Sequence, residues 1–145
     1  MESSMLSNLD NESIDNRPHL SLFEDILARM NVAGQFSASV LASKEGLAIA
    51  SAPDPAPYDP NTIAAMVTLV KGFVKDMQVQ IGLGQVDEVS MVIDDRSRLI
   101  CRYLAEDQSF VLAAIAPPGQ SYRRITTKAV GEILTALKQY GITGI

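Results

Sequence analysis

Residues Pro60–Ile81, PNTIAAMVTLVKGFVKDMQVQI, constrain this chain more than any other stretch. Asp59 is suited to cap a helix, and Pro60 stands where a first helical residue can lack an N–H. Gly82 tolerates the left-handed conformation that ends a helix. The segment therefore predicts one long helix. Ile63, Met66, Val67, Val70, Phe73, Val74, Met77 and Ile81 recur at helical spacing and predict a stripe packed on the chain's own sheet. Ala64, Ala65, Thr68, Leu69 and Gly72 occupy the other side, which stays uncharged until Lys71, Lys75 and Asp76. A solvated helix carries Lys and Glu there, so a second contact is expected on that side.

The flanking segments supply what must cover the first stripe. Leu20, Phe23, Ile26, Leu27 and Met30 predict a helix over Leu20–Met30, left through a turn over Asn31–Gln35. Phe36–Ser43 and Leu47–Ala52 are strands joined by the tight turn Lys44-Glu45-Gly46, which makes them a hairpin. After Gly82-Leu83-Gly84, Val86–Asp94, Leu99–Leu104 and Phe110–Ala116 form a meander. Its last strand is apolar on both faces, as a central strand must be. Pro117-Pro118-Gly119 closes the sheet. Ser121 is expected to cap a final helix running to about Gln139, with Gly141 stopping it. The order α-β-β-α-β-β-β-α buries every apolar stripe as an α/β (α+β) sandwich. Its centre is one five-stranded antiparallel sheet with helices on both faces.

The 145 residues form one domain over 19–145, preceded by an acidic, polar tail over 1–18 that is expected to be disordered. In that tail Met5, Leu6, Leu9 and Ile14 have the spacing of a short helix laid on a partner. The N-terminus has neither the basic start nor the apolar centre of a signal peptide. A net charge of −5 argues against nucleic-acid binding, and no apolar run reaches the length of a membrane span. Cys101 is the only cysteine, which fits a reducing, cytoplasmic setting.

Catalytic chemistry finds little to work with. Cys101 lies mid-strand among apolar neighbours, as a core cysteine does, and His19 stands at the tail boundary. One His and one Cys cannot make a zinc site. Gly82-Leu83-Gly84 follows a helix and precedes a strand, the reverse of a dinucleotide loop. The acidic pairs Asp94-Asp95 and Glu106-Asp107 sit in turns and read as solvated. Arg123, Arg124 and Lys128 cluster at the start of the last helix, against its dipole, and suit either solvent or an anionic partner surface. No metal, cofactor or catalytic residue is assigned.

The order of elements resembles the roadblock/dynein light-chain domain family. The likeness rests on Ala38–Ser51 (ASVLASKEGLAIAS), whose Gly46-Leu47-Ala48-Ile49-Ala50-Ser51 follows the family's hairpin pattern. It rests also on Ile63-Ala64-Ala65-Met66 in the long helix and on Phe110-Val111-Leu112-Ala113-Ala114-Ile115 ending the meander. It covers about residues 20–139. The tail over 1–18 departs from the family core, and no long C-terminal extension for GTPase contacts is expected after the last helix.

The resemblance implies a profilin/longin-like, non-catalytic module that dimerises. Two sheets would join at their third strands, with the long helices side by side. Stand-alone prokaryotic members of this kind bind and regulate a small Ras-like GTPase, without supplying an arginine finger. Carried onto this chain, Leu69, Gly72, Val86, Glu88, Ser90 and Val92 would meet the twin subunit. Ala64, Ala65, Thr68, Leu69 and Lys71 would meet the GTPase. The alternatives are a structural adaptor with no effect on hydrolysis and a small-molecule sensor. The sequence shows no convergent polar pocket for the latter.

Overall fold

The computed structural model describes residues 20–104 and 109–140. The expectations for the tail over 1–18, for His19, for the Glu106-Asp107 turn and for Gly141 lie outside the described residues.

Helix α1 covers 20–34, one turn beyond the expected end. The exit is a Schellman turn: Phe36 N–H donates to Asn31 O at 2.9 Å and Gln35 N–H to Val32 O at 3.4 Å. Gln35, at φ 57°, takes the left-handed position of this turn. Gly34 serves another purpose. A Cβ there would collide with the Phe36 ring, which folds back into the core.

Strands β1 (Ala38–Ser43) and β2 (Ala48–Ala52) form the hairpin. Gly46, at φ 83°, makes the turn, its N–H donating to Ser43 O at 3.0 Å. Helix α2 runs Pro60–Ile81, capped by Asp59, whose carboxylate accepts the Asn61 N–H at 3.0 Å. Gly82, at φ 67°, ends it. The meander follows as β3 (Glu88–Val92), β4 (Arg98–Leu104) and β5 (Phe110–Ala116), then helix α3 (Arg123–Gln139). Ser121 does not cap α3. The N-cap position falls to Tyr122, which makes no side-chain cap and gives its hydroxyl to Glu88 instead.

The five strands make one sheet in the order β2-β1-β5-β4-β3, every neighbouring pair antiparallel. Strand β5 is central and buried on both faces, as its unbroken apolar run predicts. Alternation along the strands sorts the side chains into two cores. Leu41, Ile100, Leu104 and Leu112 meet Phe23, Leu27 and Ile133 of α1 and α3. Val40, Ala42, Cys101, Val111 and Ala113 meet Ala64, Val67 and Val74 of α2.

Helix α2 is rotated about its axis from the expected setting. Met66, Phe73, Met77 and Ile81 point to solvent rather than onto the sheet, and Ala64, expected outside, is fully buried. The sheet under α2 presents small residues, Ala42 and Ala113, so the backbone of α2 settles close at Ala64. The β1–β2 turn fixes the angle. A Cβ on Gly46 would stand 3.4 Å from Ala65 Cα and 3.6 Å from Thr68 Oγ1. The turn is wedged against that side of the helix, and the bulky stripe is left facing out.

Candidate docking surface

Three side chains of α2 are buried, Ala64, Val67 and Val74, and Ile63, Val70, Lys71 and Gln78 flank them half-buried. The opposite arc holds Met66, Leu69, Phe73 and Met77, at i, i+3, i+7 and i+11, so they stack along one face. They are 61%, 71%, 74% and 47% exposed. Ala65 and Gly72 border this ridge and are also exposed. Val79, Ile81 and Leu83 prolong the apolar surface past the end of the helix. Scattered single apolar residues are normal on a surface, but a continuous row over three turns is a candidate contact. Gly72 adds to this. Glycine inside a helix costs about 1 kcal/mol relative to alanine. A Cβ at Gly72 would meet nothing within 4 Å in the folded chain. The chain's own packing therefore gives no reason for glycine there.

The two sheet edges differ. On β2, Asn61 Oδ1 accepts the Ala48 N–H at 3.3 Å and Asn31 Nδ2 donates to Ala52 O at 3.1 Å. Both ends of that edge are closed by the chain's own side chains. Strand β3 is the other edge, with Ser90, Met91 and Val92 exposed. Met91 pairs with Leu99 and Val89 with Cys101, which puts Val89 and Met91 on the α2 side of the sheet. Strand β3 thus brings both an edge and an apolar face to the side where α2 shows its ridge.

A polar cluster on the far face holds β3 in place. Glu88 accepts from Tyr122 Oη at 2.7 Å and from Arg123 Nη1 at 2.6 Å, and Asp87 accepts from Arg123 Nη2 at 2.8 Å. Buried Arg102 donates through Nη1 to Thr126 Oγ1 at 2.6 Å and Thr127 Oγ1 at 3.1 Å. Its Nε lies 3.9 Å from Glu88 Oε1, an ion pair too long for a hydrogen bond. The hydrogen bond from Arg123 holds the Asp87 carboxyl below the usual carboxylate range, and the same contacts raise the Arg123 guanidinium. Burial lowers Arg102. The arginine at the start of α3 is thus a tie between α3 and β3, which explains its unfavourable place on the helix dipole. Arg124 and Lys128 remain exposed.

The residues expected to meet partners are therefore distributed unevenly. Ala65, Leu69, Gly72, Ser90 and Val92 are exposed on α2 or the β3 edge. Ala64 is a correction: at 0% exposure it belongs to the core. Thr68 is half-buried against the hairpin turn and its hydroxyl donates to Ala64 O at 2.8 Å. Lys71 is half-buried. Val86 precedes the strand and packs partly buried under α2, and the Glu88 carboxylate is turned to α3. Met66, Phe73 and Met77 were missed. The available signal was that α2 is apolar over more of its circumference than one sheet can cover.

Chemistry is sparse around this surface. Burial pushes the Cys101 thiol up to about 11 and the Tyr103 phenol up to about 12, so both stay protonated. Among the described residues no group of three or more His, Cys, Asp or Glu is placed to hold a metal ion. None of their helices is long and apolar enough to cross a membrane.

The fold is that of the roadblock/LC7 domain, and solved structures of that kind superpose over most of the chain. Myxococcus xanthus MglB matches with a TM-score of 0.75 at 17% identity, over 86% of this chain and 92% of that one. The gliding protein MglB of Thermus thermophilus matches with a TM-score of 0.71 at 12% identity, over 83% and 92%. A Roadblock/LC7 domain from Streptomyces avermitilis matches with a TM-score of 0.59 at 17% identity, over 83% and 98%. No family model matches the sequence, and no curated protein matches it by sequence.

Proposed function

We propose that the protein is a non-catalytic, cytoplasmic homodimer that binds and regulates a small Ras-like GTPase. The carrying observation is the exposed ridge Met66, Leu69, Phe73 and Met77 on α2, on the same side of the sheet as the apolar face of β3. The likeness of fold to MglB supports the choice of a GTPase as partner. In this reading the open β3 edge, through Ser90 and Val92, extends the sheet into a second copy. The ends of β2 that Asn31 and Asn61 close are not used. Leu69, Gly72 and Phe73 pack against the twin helix, and Gly72 lets the two backbones approach. Ala65, Met66 and the neighbouring Thr68 and Lys71 then line the surface offered to the GTPase.

The test is to mix the protein with GTP- and GDP-loaded forms of a Ras-like GTPase from the same organism, following co-elution and hydrolysis. Nucleotide-dependent binding with altered hydrolysis, both lost in Leu69→Arg, is the expected result. Binding to neither form would overturn the reading. Binding with unchanged hydrolysis would make the protein an adaptor.

A further inference from the structure

A second surface lies on the opposite side of the sheet. Helices α1 and α3 leave between them an open groove of about 530 Å³ lined by Leu22, Ile26, Arg29, Lys128, Gly131 and Thr135, among others. Arg29 Nη2 and Glu132 Oε2, 2.7 Å apart, bridge the two helices there. Gly131 sits in the interior of α3 on the groove wall. A glycine there weakens the helix, and a Cβ would meet nothing within 4 Å. As at Gly72, the folded chain supplies no reason for its absence. A segment lying close over the groove would.

We propose that this groove seats the chain's own N-terminal segment, residues 1–18, through Met5, Leu6 and Leu9. Three observations select this occupant. The segment leads directly into α1, whose Leu22 already lines the groove, so it needs only to double back at Asn16-Arg17-Pro18. Pro18 removes an N–H and resists helix continuation upstream of α1. The charges match. Glu2, Asp10, Glu12 and Asp15 outweigh Arg17 in the segment, whereas the groove is net positive: Arg29 is paired with Glu132, and Lys128 adds a cation, with exposed Arg124 one turn before it. The reach is ample, since an extended chain advances about 3.3 Å per residue. Docked there, the segment strengthens the α1–α3 side and leaves the α2 ridge open, so it does not compete with the partner surface proposed above.

Disulfide trapping in the full chain tests this. Leu9→Cys combined with Thr135→Cys, under mild oxidation, is expected to give an intramolecular bridge at least tenfold faster than Leu9→Cys combined with Ala65→Cys on the α2 face. Trapping should slow in molar salt and in Gly131→Gln, where a side chain fills the groove. Equal rates for the two pairs, or an intermolecular product, would overturn the proposal. The intermolecular product would mean that a second copy occupies the groove. Amide exchange gives an independent check. Leu6→Asp with Leu9→Asp should speed exchange over 22–29 and 128–139 at least threefold, sparing α2. No change there would also overturn it.

Discussion

Arg102 of β4 donates to the Thr126 hydroxyl of α3 across 2.6 Å, seating a buried charge beneath the first turn of the last helix. Thr126 passes the link on, its hydroxyl lying 3.0 Å from Tyr122 O. Tyr122 and Arg123 both bind Glu88, so the position of edge strand β3 depends on this chain of contacts. A surface pair would contribute little. Here the guanidinium has left water and needs its partners.

The members of this cluster should therefore differ sharply in weight. Arg102→Ala leaves two threonine hydroxyls short of a donor and takes one of two neighbouring cations from Glu88, and should cost about 3 kcal/mol. Thr126→Val should cost about 1 kcal/mol. Arg123→Ala removes ion pairs to Asp87 and Glu88 that solvent screens at the arginine end, and should cost the least of the three. Urea unfolding of the three variants measures the order.

Acid should loosen the same region. The hydrogen bond from Arg123 holds the folded Asp87 carboxyl below its ordinary value of 3.8. Its contribution is fully present above that value and is lost as pH falls through the lower, folded one. Asp87→Asn should be slightly less stable at neutral pH yet lose less stability as the pH falls below about 4. The effect is small because the side chain is exposed and solvent screens the pair. Thermal melts across that range test it.

Alkali acts on the other core. Burial pushes the folded Cys101 thiol up to about 11 from an ordinary 9.0, and the Tyr103 phenol up to about 12 from 10.0. Stability from these groups is fully present below the unfolded values and is lost as pH rises through the folded ones. The melting temperature should begin to fall near pH 9, and the fall should steepen toward 11. At about pH 8 a thiol reagent should label Cys101 only after denaturant is added, because the thiol is buried and protonated. Fast labelling of the native protein would contradict this.

The hairpin turn is the wedge that sets α2. Gly46→Ala places a Cβ at φ 83° and 3.4 Å from Ala65 Cα. The left-handed conformation alone costs about 1–2 kcal/mol in a residue with a Cβ. The variant should unfold at correspondingly lower urea.

On the outer face the same kind of change should have the opposite sign. Gly72→Ala meets open space and should stabilise an isolated subunit by up to about 1 kcal/mol. Phe73→Asp should leave the fold intact, since Phe73 is 74% exposed, but abolish self-association. Sedimentation at micromolar concentration separates the two effects. A wild-type monomer would remove the dimer from the proposed function.

Much of this architecture is legible in local sequence. The ends of α2 follow from Asp59, Pro60 and Gly82, and β5 from its unbroken run Phe110–Ala116. The hairpin follows from Gly46. These features depend on backbone conformation and on alternation over a few residues, which neighbours in sequence determine. Ser121 failed as a cap because Tyr122 has a long-range partner in Glu88, which no local signal announces.

The division of α2 into inner and outer faces was a tertiary decision. Its circumference is apolar over more than half a turn, so periodicity alone allows several rotations of the helix. Residues distant in sequence choose among them. Ala42 and Ala113 let the helix come close, and the turn at Gly46 presses on Ala65 and Thr68. Ala64 thereby enters the core, and Met66, Phe73 and Met77 are left exposed. By itself the sequence determined that the helix is apolar on both an inner and an outer face. Only the packing of the sheet beneath it decided which side chains belong to each.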